Sequence, residues 1–277
     1  MMLSPGTHWA ELALDQPRVM GVLNVTPDSF SDGGRRMNPD TAIAAGLAMA
    51  ADGADIVDVG GESARPGASA IAPDQEQDRI IPVIRALAAA SVRVSVDTRN
   101  AATMAAALAA GAAIVNDVSG LTYDKQAAAV VAEHGCPVVL MHMRGTPASM
   151  NALAHYGDVV AEVRDELLER VAAARQAGIR AEQIAIDPGI GFAKLGDQSP
   201  ALLRGLPVLA NLGYPVVVGV SRKIFIGRLS HESRPDHRLG GSLAAGLFAL
   251  ARGASILRVH DVRETAQAVR VWHSLSG

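Results

Sequence analysis

Val92-Arg93-Val94-Ser95-Val96-Asp97 is followed, after three polar residues, by Ala101-Ala102-Thr103-Met104-Ala105-Ala106-Ala107-Leu108-Ala109-Ala110-Gly111 and then by Ile114-Val115-Asn116. A short β-branched run ends at a carboxylate. An alanine-rich stretch of good helix formers closes on a glycine, and a second β-branched run ends at an amide. This is one strand–helix–strand unit, and it repeats in both directions. Apolar runs at 19–25 and 55–59 precede it, and runs at 137–141, 184–186, 216–220 and 256–259 follow it. Between them, 41–51, 74–90 and 159–177 carry the helical period, and Gly53, Gly135 and Gly178 stand where Gly111 stands, just past a helical stretch. Eight strand–helix pairs imply an α/β chain with a parallel sheet closed into one (β/α)8 TIM barrel, core 18–277. An open doubly wound sheet is the alternative.

Composition narrows the class. With 277 residues, 49% of them hydrophobic, the chain can bury one large core. A net charge of -3 gives no basic balance for nucleic acid, and 3% aromatics is too few for a base-stacking platform. Cys136 is the only cysteine, so neither an internal disulfide nor a cysteine metal cage forms, which fits a cytoplasmic protein. The first ten residues lack a basic residue followed by an apolar run, so no signal peptide is expected. No uncharged apolar stretch of about 18 residues suggests a membrane span.

The chemistry is carried by the residues at the strand ends. Asn24 ends the first run, and Asp58 lies in the second, before Gly60-Gly61-Glu62-Ser63. Asp97, then Asn116 with Asp117, His142 and Asp187 end the next four. Ser221-Arg222-Lys223 follows the seventh, and Arg258 and His260 close the eighth. In a barrel these ends share the face that carries active sites. One such residue could simply cap a helix. A whole ring of them is costly without partners or a ligand. Asp97, Asp187 and Asn116 suit a flat heterocycle with amino and ring N–H donors, and Lys223 can donate to its carbonyl or ring nitrogen. Arg65, Arg258 and His260 are cationic donors for phosphate, and Asn24 offers an oxygen to Mg²⁺. Ser221-Arg222-Lys223 opens a helix whose first amides would attract an anion.

These residues closely resemble those of the dihydropteroate synthase family of pterin-binding enzymes. The likeness rests on Val22-Leu23-Asn24-Val25-Thr26-Pro27-Asp28-Ser29-Phe30-Ser31-Asp32-Gly33-Gly34 and on Asp58-Val59-Gly60-Gly61-Glu62-Ser63 with Arg65-Pro66-Gly67. It continues through Ser95-Val96-Asp97-Thr98, Val115-Asn116-Asp117-Val118-Ser119, Met141-His142 and Asp187-Pro188-Gly189-Ile190-Gly191-Phe192-Ala193-Lys194. It ends with Ser221-Arg222-Lys223 and Arg258-Val259-His260-Asp261. The resemblance implies a transferase that condenses a dihydropterin methyl diphosphate with p-aminobenzoate. It implies that Asp97, Asn116, Asp187, Lys223, Met141, Phe192 and Gly219 form the pterin pocket. Asn24, as the Mg²⁺ ligand, would join Arg65, Arg258 and His260 at the pyrophosphate, with Asp97, Lys223 and Arg258 catalytic. Phe30, Pro66 and Ser221 would receive p-aminobenzoate. The segments 26–36 and 63–68 would be mobile loops closing over that second substrate. A homodimer through C-terminal helices is also implied.

One position departs from the family. Its usual hydroxyl residue between Ser63 and Arg65 is Ala64 here, one hydrogen bond fewer beside the second substrate, worth about 1 kcal/mol. Cys136, His155, His231 and His237 read as structural or surface residues, and Glu62 as either a base or a loop anchor. A corrinoid-linked methyltransferase would share the pterin pocket but not the 28–32 loop, Arg65 or Arg258-Val259-His260. A non-catalytic pterin binder would be expected to lack Asn24, Asp97 or Lys223, and all are present.

Overall fold

The computed structural model describes residues 8–26, 38–63 and 67–276. The chain enters through a hairpin, β1 (His8–Trp9) and β2 (Leu12–Ala13), paired antiparallel. Eight parallel strands follow: β3 (Arg18–Asn24), β4 (Ile56–Gly60), β5 (Val94–Asp97), β6 (Ile114–Asp117), β7 (Val138–Met141), β8 (Ile184–Asp187), β9 (Val217–Val218) and β10 (Ile256–Val259). Each strand from β3 to β8 pairs with the next, and β10 pairs with both β3 and β9. A parallel bridge between Ile186 and Val216, with Ile186 N–H donating to the Pro215 carbonyl at 2.9 Å, joins the last two edges. The circuit is a barrel, not an open sheet. The runs read from the sequence all form strands, within one or two residues except the seventh, where only Val217–Val218 of 216–220 is strand.

The helices alternate with the strands as α1 (Pro39–Ala51), α2 (Pro73–Ala89), α3 (Ala101–Ala109), α4 (Ala127–His134), α5 (Val159–Gln176), α6 (Gln198–Arg204), α7 (Leu206–Ala210), α8 (Ile224–Ser230), α9 (Leu239–Leu250) and α10 (Val262–Ser276). Helix α5 shows how the sequence specifies one. Asp158 caps it by accepting from the amides of Val160 and Ala161, which otherwise lack partners. Val163, Leu167, Val171 and Ala174, spaced by three or four, form its buried stripe. Burying each valine or leucine contributes about 1.5–3 kcal/mol. The glycines expected after helices, Gly53, Gly111, Gly135 and Gly178, all have positive φ, and Gly135 is the left-handed cap of α4.

Strand alternation decides what the barrel interior contains. Val19, Leu23, Val57, Val59, Val94, Val96, Val115, Leu140, Ile186, Val218 and Leu257 face outward into the layer shared with the helices. Met20, Ile56, Ile114, Val139, Ala185, Val217 and Ile256 form a separate inner cluster with Trp9 and Leu14 of the N-terminal segment. Trp9 is buried, and its indole N–H donates to the Gln183 carbonyl at 2.9 Å, so the hairpin plugs the barrel's N-terminal end. Two residues beyond the inner cluster, on the same face of each strand, come Asp58, Asn116, Met141, Asp187, Gly219 and Arg258; Asp97 has the same parity on β5. The apolar floor and the polar mouth are successive layers of one interior.

Candidate active site

The mouth is organised by Arg258. Its Nε donates to Asp58 Oδ2 and one terminal nitrogen donates to Asp97 Oδ2, each at 2.6 Å. Asn116 Nδ2 donates to the same Asp58 oxygen at 2.9 Å. Three strands are tied through one carboxylate that is wholly buried, and Asp58 Oδ1 has no partner among the described residues. Burial pushes Asp97 up to about 7 against the opposing pull of Arg258, and Asp58 and other nearby carboxylates push the same way. The two carboxylates raise the Arg258 pKa further, so it stays a cation.

A second group lies across the mouth. Asp187 Oδ1 accepts from Gly189 N–H at 2.7 Å, and burial raises its pKa despite that bond and the pull of Lys223. Burial lowers Lys223 to about 8, although Asp187 and Asp97 attract its ammonium. That ammonium sits 4.0 Å from the centre of the Phe192 ring. Met141, Met143, Met150, Val118 and Ala193 pack with Phe192 into a small apolar cluster beside it. Gly219 lies against the Arg258 stem, where a Cβ would make ordinary contact with Arg258 Cβ at 3.9 Å. Acceptors, donors and apolar plates therefore stand around one space, which suits a flat, polar-edged ring.

The loop carrying Phe192 turns on Gly189. Its φ is +65°, and a Cβ there would fall 1.9 Å from the His142 carbonyl oxygen, a backbone atom that cannot swing away. Gly189→Ala is expected to destabilise the protein by at least about 2 kcal/mol. Chemical denaturation checks this, and an unchanged midpoint would show that the loop is looser than its contacts imply.

The remaining predicted residues fall into three groups. Asn24 ends β3 half-buried, in register with Gly60, and its side chain has no hydrogen bond among the described residues. Ser221 and His260 are brought together, with His260 Nδ1 3.0 Å from Ser221 Oγ. The expectation of a cationic His260 needs correction. Burial, then Arg258 and Arg222, lower it to about 4, so it is neutral at pH 7. Phe30, Ala64, Arg65 and Pro66, with most of the two long loops, lie outside the described residues.

The family model described as "Pterin binding enzyme" matches residues 20–260. A dihydropteroate synthase of Mycobacterium leprae is 48% identical over 266 residues, covering 94% of each chain. A Xanthomonas albilineans dihydropteroate synthase solved with 4-aminobenzoic acid superposes with a TM-score of 0.91 at 49% identity, covering 96% of this chain and 95% of that one. The chain belongs to the dihydropteroate synthase family of pterin-binding enzymes. Another structure of the Xanthomonas enzyme, in complex with 7,8-dihydropteroate, gives 0.87 at 46% identity, covering 96% of each chain.

Against that family frame, the ring of strand-end residues is narrower than its sequence suggested. Asp117 and His142 follow inward-facing residues, so alternation turns them out of the barrel. Asp117 accepts from Ser119 N–H, Ser119 Oγ–H and Leu121 N–H, tying down the loop after β6. His142 pairs with Glu166 of α5 at 2.9 Å. Glu62 is a loop anchor: Arg99 grips both its oxygens at 2.9 Å, and Ile71 N–H donates to one of them. Cys136 is buried and its thiol pushed up to about 11, which suits packing rather than attack. His155, His231 and His237 are exposed. Two residues were missed. Asp58 has no role in the sequence reading, although it follows the inward Ile56 by two. Lys194 is in sequence only the end of a motif, and no sequence signal tells that its amine is buried.

Proposed function

We propose that this chain condenses 7,8-dihydropterin-6-ylmethyl diphosphate with p-aminobenzoate to give 7,8-dihydropteroate and pyrophosphate. The observation that carries the reading is the pair of carboxylates, buried Asp187 and mostly enclosed Asp97, set with Asn116 and Lys223 beside the Met141–Phe192 wall. The Asp carboxylates accept from the amino and ring N–H edge of the pterin, while Asn116 and Lys223 address its remaining polar atoms. The C–O bond to the methylene carbon breaks first, and pyrophosphate leaves with the electron pair. Asp97 and Asp187 stabilise the positive charge that spreads over the reduced ring. The neutral amine of p-aminobenzoate then forms the new C–N bond with its lone pair and releases its proton to water. No covalent intermediate with the protein is required.

Arg258 serves this chemistry by holding Asp58 and Asp97 in place while keeping further N–H donors for the leaving group. Neutral His260, held by its contact with Ser221, acts there as a hydrogen-bonding group. We assign the p-aminobenzoate carboxylate to Ser221, with Phe30 and Pro66 on its ring and Arg65 at the diphosphate. Among the described residues no group of three His, Cys, Asp or Glu could hold a metal. A single amide oxygen, Asn24, with no hydrogen bond of its own fits Mg²⁺ that takes its other ligands from diphosphate and water. When bound, Mg²⁺ would neutralise diphosphate charge. Asn24→Ala is expected to raise the Mg²⁺ concentration for half-maximal activity about tenfold with little change in stability, since it removes one ligand contact worth about 1.4 kcal/mol. An unchanged Mg²⁺ titration would remove Asn24 from that role.

The exposed apolar Phe248 of α9, with Val271 and Leu275 of α10, supports a homodimer through the C-terminal helices. No helix among the described residues is long and apolar enough to cross a membrane; we place the enzyme in the cytoplasm. The deciding assay supplies pterin diphosphate and p-aminobenzoate, with and without Mg²⁺, and follows pyrophosphate release. Absence of release with both substrates present rejects the proposal.

A further inference from the structure

The chain has only three lysines against 22 arginines, and Lys194 and Lys223 both stand at the barrel mouth. Lys194 is just 5% exposed. Its Nζ donates to the Phe192 carbonyl at 2.8 Å and to His142 Nδ1 at 2.9 Å. Burial lowers the Lys194 pKa well below that of a free amine. The Glu166 carboxylate can only accept, so His142 Nε2 carries the proton toward Glu166 Oε2, 2.9 Å away, and the bare Nδ1 accepts from Lys194. Burial lowers His142 to about 4, in keeping with a neutral ring. Glu166, on α5, is held in turn by Arg144. An unbroken chain of contacts thus runs from an outer helix to the backbone of Phe192.

That backbone needs holding. Between Asp187 and Lys194 the φ angles of Gly189, Gly191 and Ala193 are +65°, +81° and +49°. Ala193, with a Cβ, is in a left-handed conformation that costs about 1 kcal/mol. Lys194 fastens the loop one residue beyond, and the loop lays the Phe192 ring on the Lys223 ammonium. Packing does not explain Lys194, because an apolar side chain in that position would avoid the cost of burying a charge. The reaction steps above do not use it either.

The geometry points to Lys194 as a positioning residue: anchored through His142 to Glu166, it fastens the Phe192 carbonyl and so sets the ring against Lys223. The inference rests on Lys223 facing the pterin, as proposed above. The titratable groups around Lys223 are Asp187, Asp97, Arg258 and Lys194 itself, with His260 nearby. Losing Lys194 frees the ring and admits water to Lys223. The ammonium gives up its contact with the Phe192 ring but regains hydration, and because burial is the main cause of its lowered pKa the net change favours the protonated form.

The scarcity of lysine makes the test direct. In ligand-free protein labelled with ¹³C-lysine, only Lys125, Lys194 and Lys223 give signals, and Lys125 is exposed. In Lys194→Met the Lys223 Cε titration is expected to move upward by about one unit, a tenfold change in the proton affinity. The KM for the pterin diphosphate should rise about tenfold, as expected for two lost hydrogen bonds that act only through position. The kcat and the KM for p-aminobenzoate should stay within about twofold. Glu166→Gln, which keeps an acceptor for His142 but weakens the hold of Arg144, should shift both readings the same way by about half as much on the logarithmic scale. Either reading left at the wild-type value in Lys194→Met overturns the inference, as does a uniform loss in both substrates' constants with a lower Tm. If Lys194→Met does not fold, Glu166→Gln decides on the same two readings. A wild-type protein without turnover would reject the proposed function, while the lysine titration would still decide the relay.

Discussion

Asp97→Asn is expected to lower kcat/KM for the pterin substrate by about 10³-fold, the scale of losing one preorganised electrostatic contact to a developing charge. The variant should fold, because Arg258 keeps Asp58 and the amide oxygen can still accept from it. The pH profile gives a sharper reading than the rate. Asp97 must be ionised and Lys223 protonated to meet the pterin. Burial holds the first at about 7 and the second at about 8 in the free protein. The wild-type kcat/KM should therefore be bell-shaped, rising as Asp97 loses its proton and falling as Lys223 loses its own. In Asp97→Asn the acidic limb should vanish while the alkaline limb remains. An acidic limb persisting near pH 7 would assign that titration to another group and remove Asp97 from the role given to it.

Arg258→Met should cost the most stability. It leaves the wholly buried Asp58 carboxylate and the mostly enclosed Asp97 carboxylate without a counter-charge. Breaking a buried pair from one side costs about 3–5 kcal/mol. The loss should depend on pH. Without Arg258 the folded pKa of Asp97 rises further above the unfolded value of about 3.9. A raised carboxyl pKa means the folded state binds more protons, so stability falls as pH rises from about 4 through the folded value. The variant should be near wild type at pH 4–5 and show its full deficit at pH 8. Denaturant unfolding at both pH values checks this. An equal deficit at each would point to lost packing, and no deficit at pH 8 would show that water reaches the two carboxylates.

Much of the site was legible because strands alternate. Asp97, Asn116, Met141, Asp187 and Arg258 could be placed at strand ends from hydrophobic runs alone. Period two, applied strictly, would also have turned Asp117 and His142 outward and put Asp58 beside Asp97. Charge states were not legible. His260 reads as a cation in sequence and is neutral in the fold, because only burial beside Arg258 and Arg222 lowers its pKa.

The sequence by itself determined the eight strand–helix units, the caps that end them, and the parity that separates an apolar floor from a polar mouth. Those are properties of windows of about ten residues, where periodicity and propensity act. The tertiary structure alone decided which polar groups meet. Arg258 reaches Asp58 across 200 positions and Asp97 across 161. Lys194 meets His142 across 52, and Trp9 finds Gln183 across 174. Such pairs exist only once the barrel closes and its register is set. Pairing strength then depends on distance and on the water excluded from the mouth, neither of which is written in any local stretch of chain.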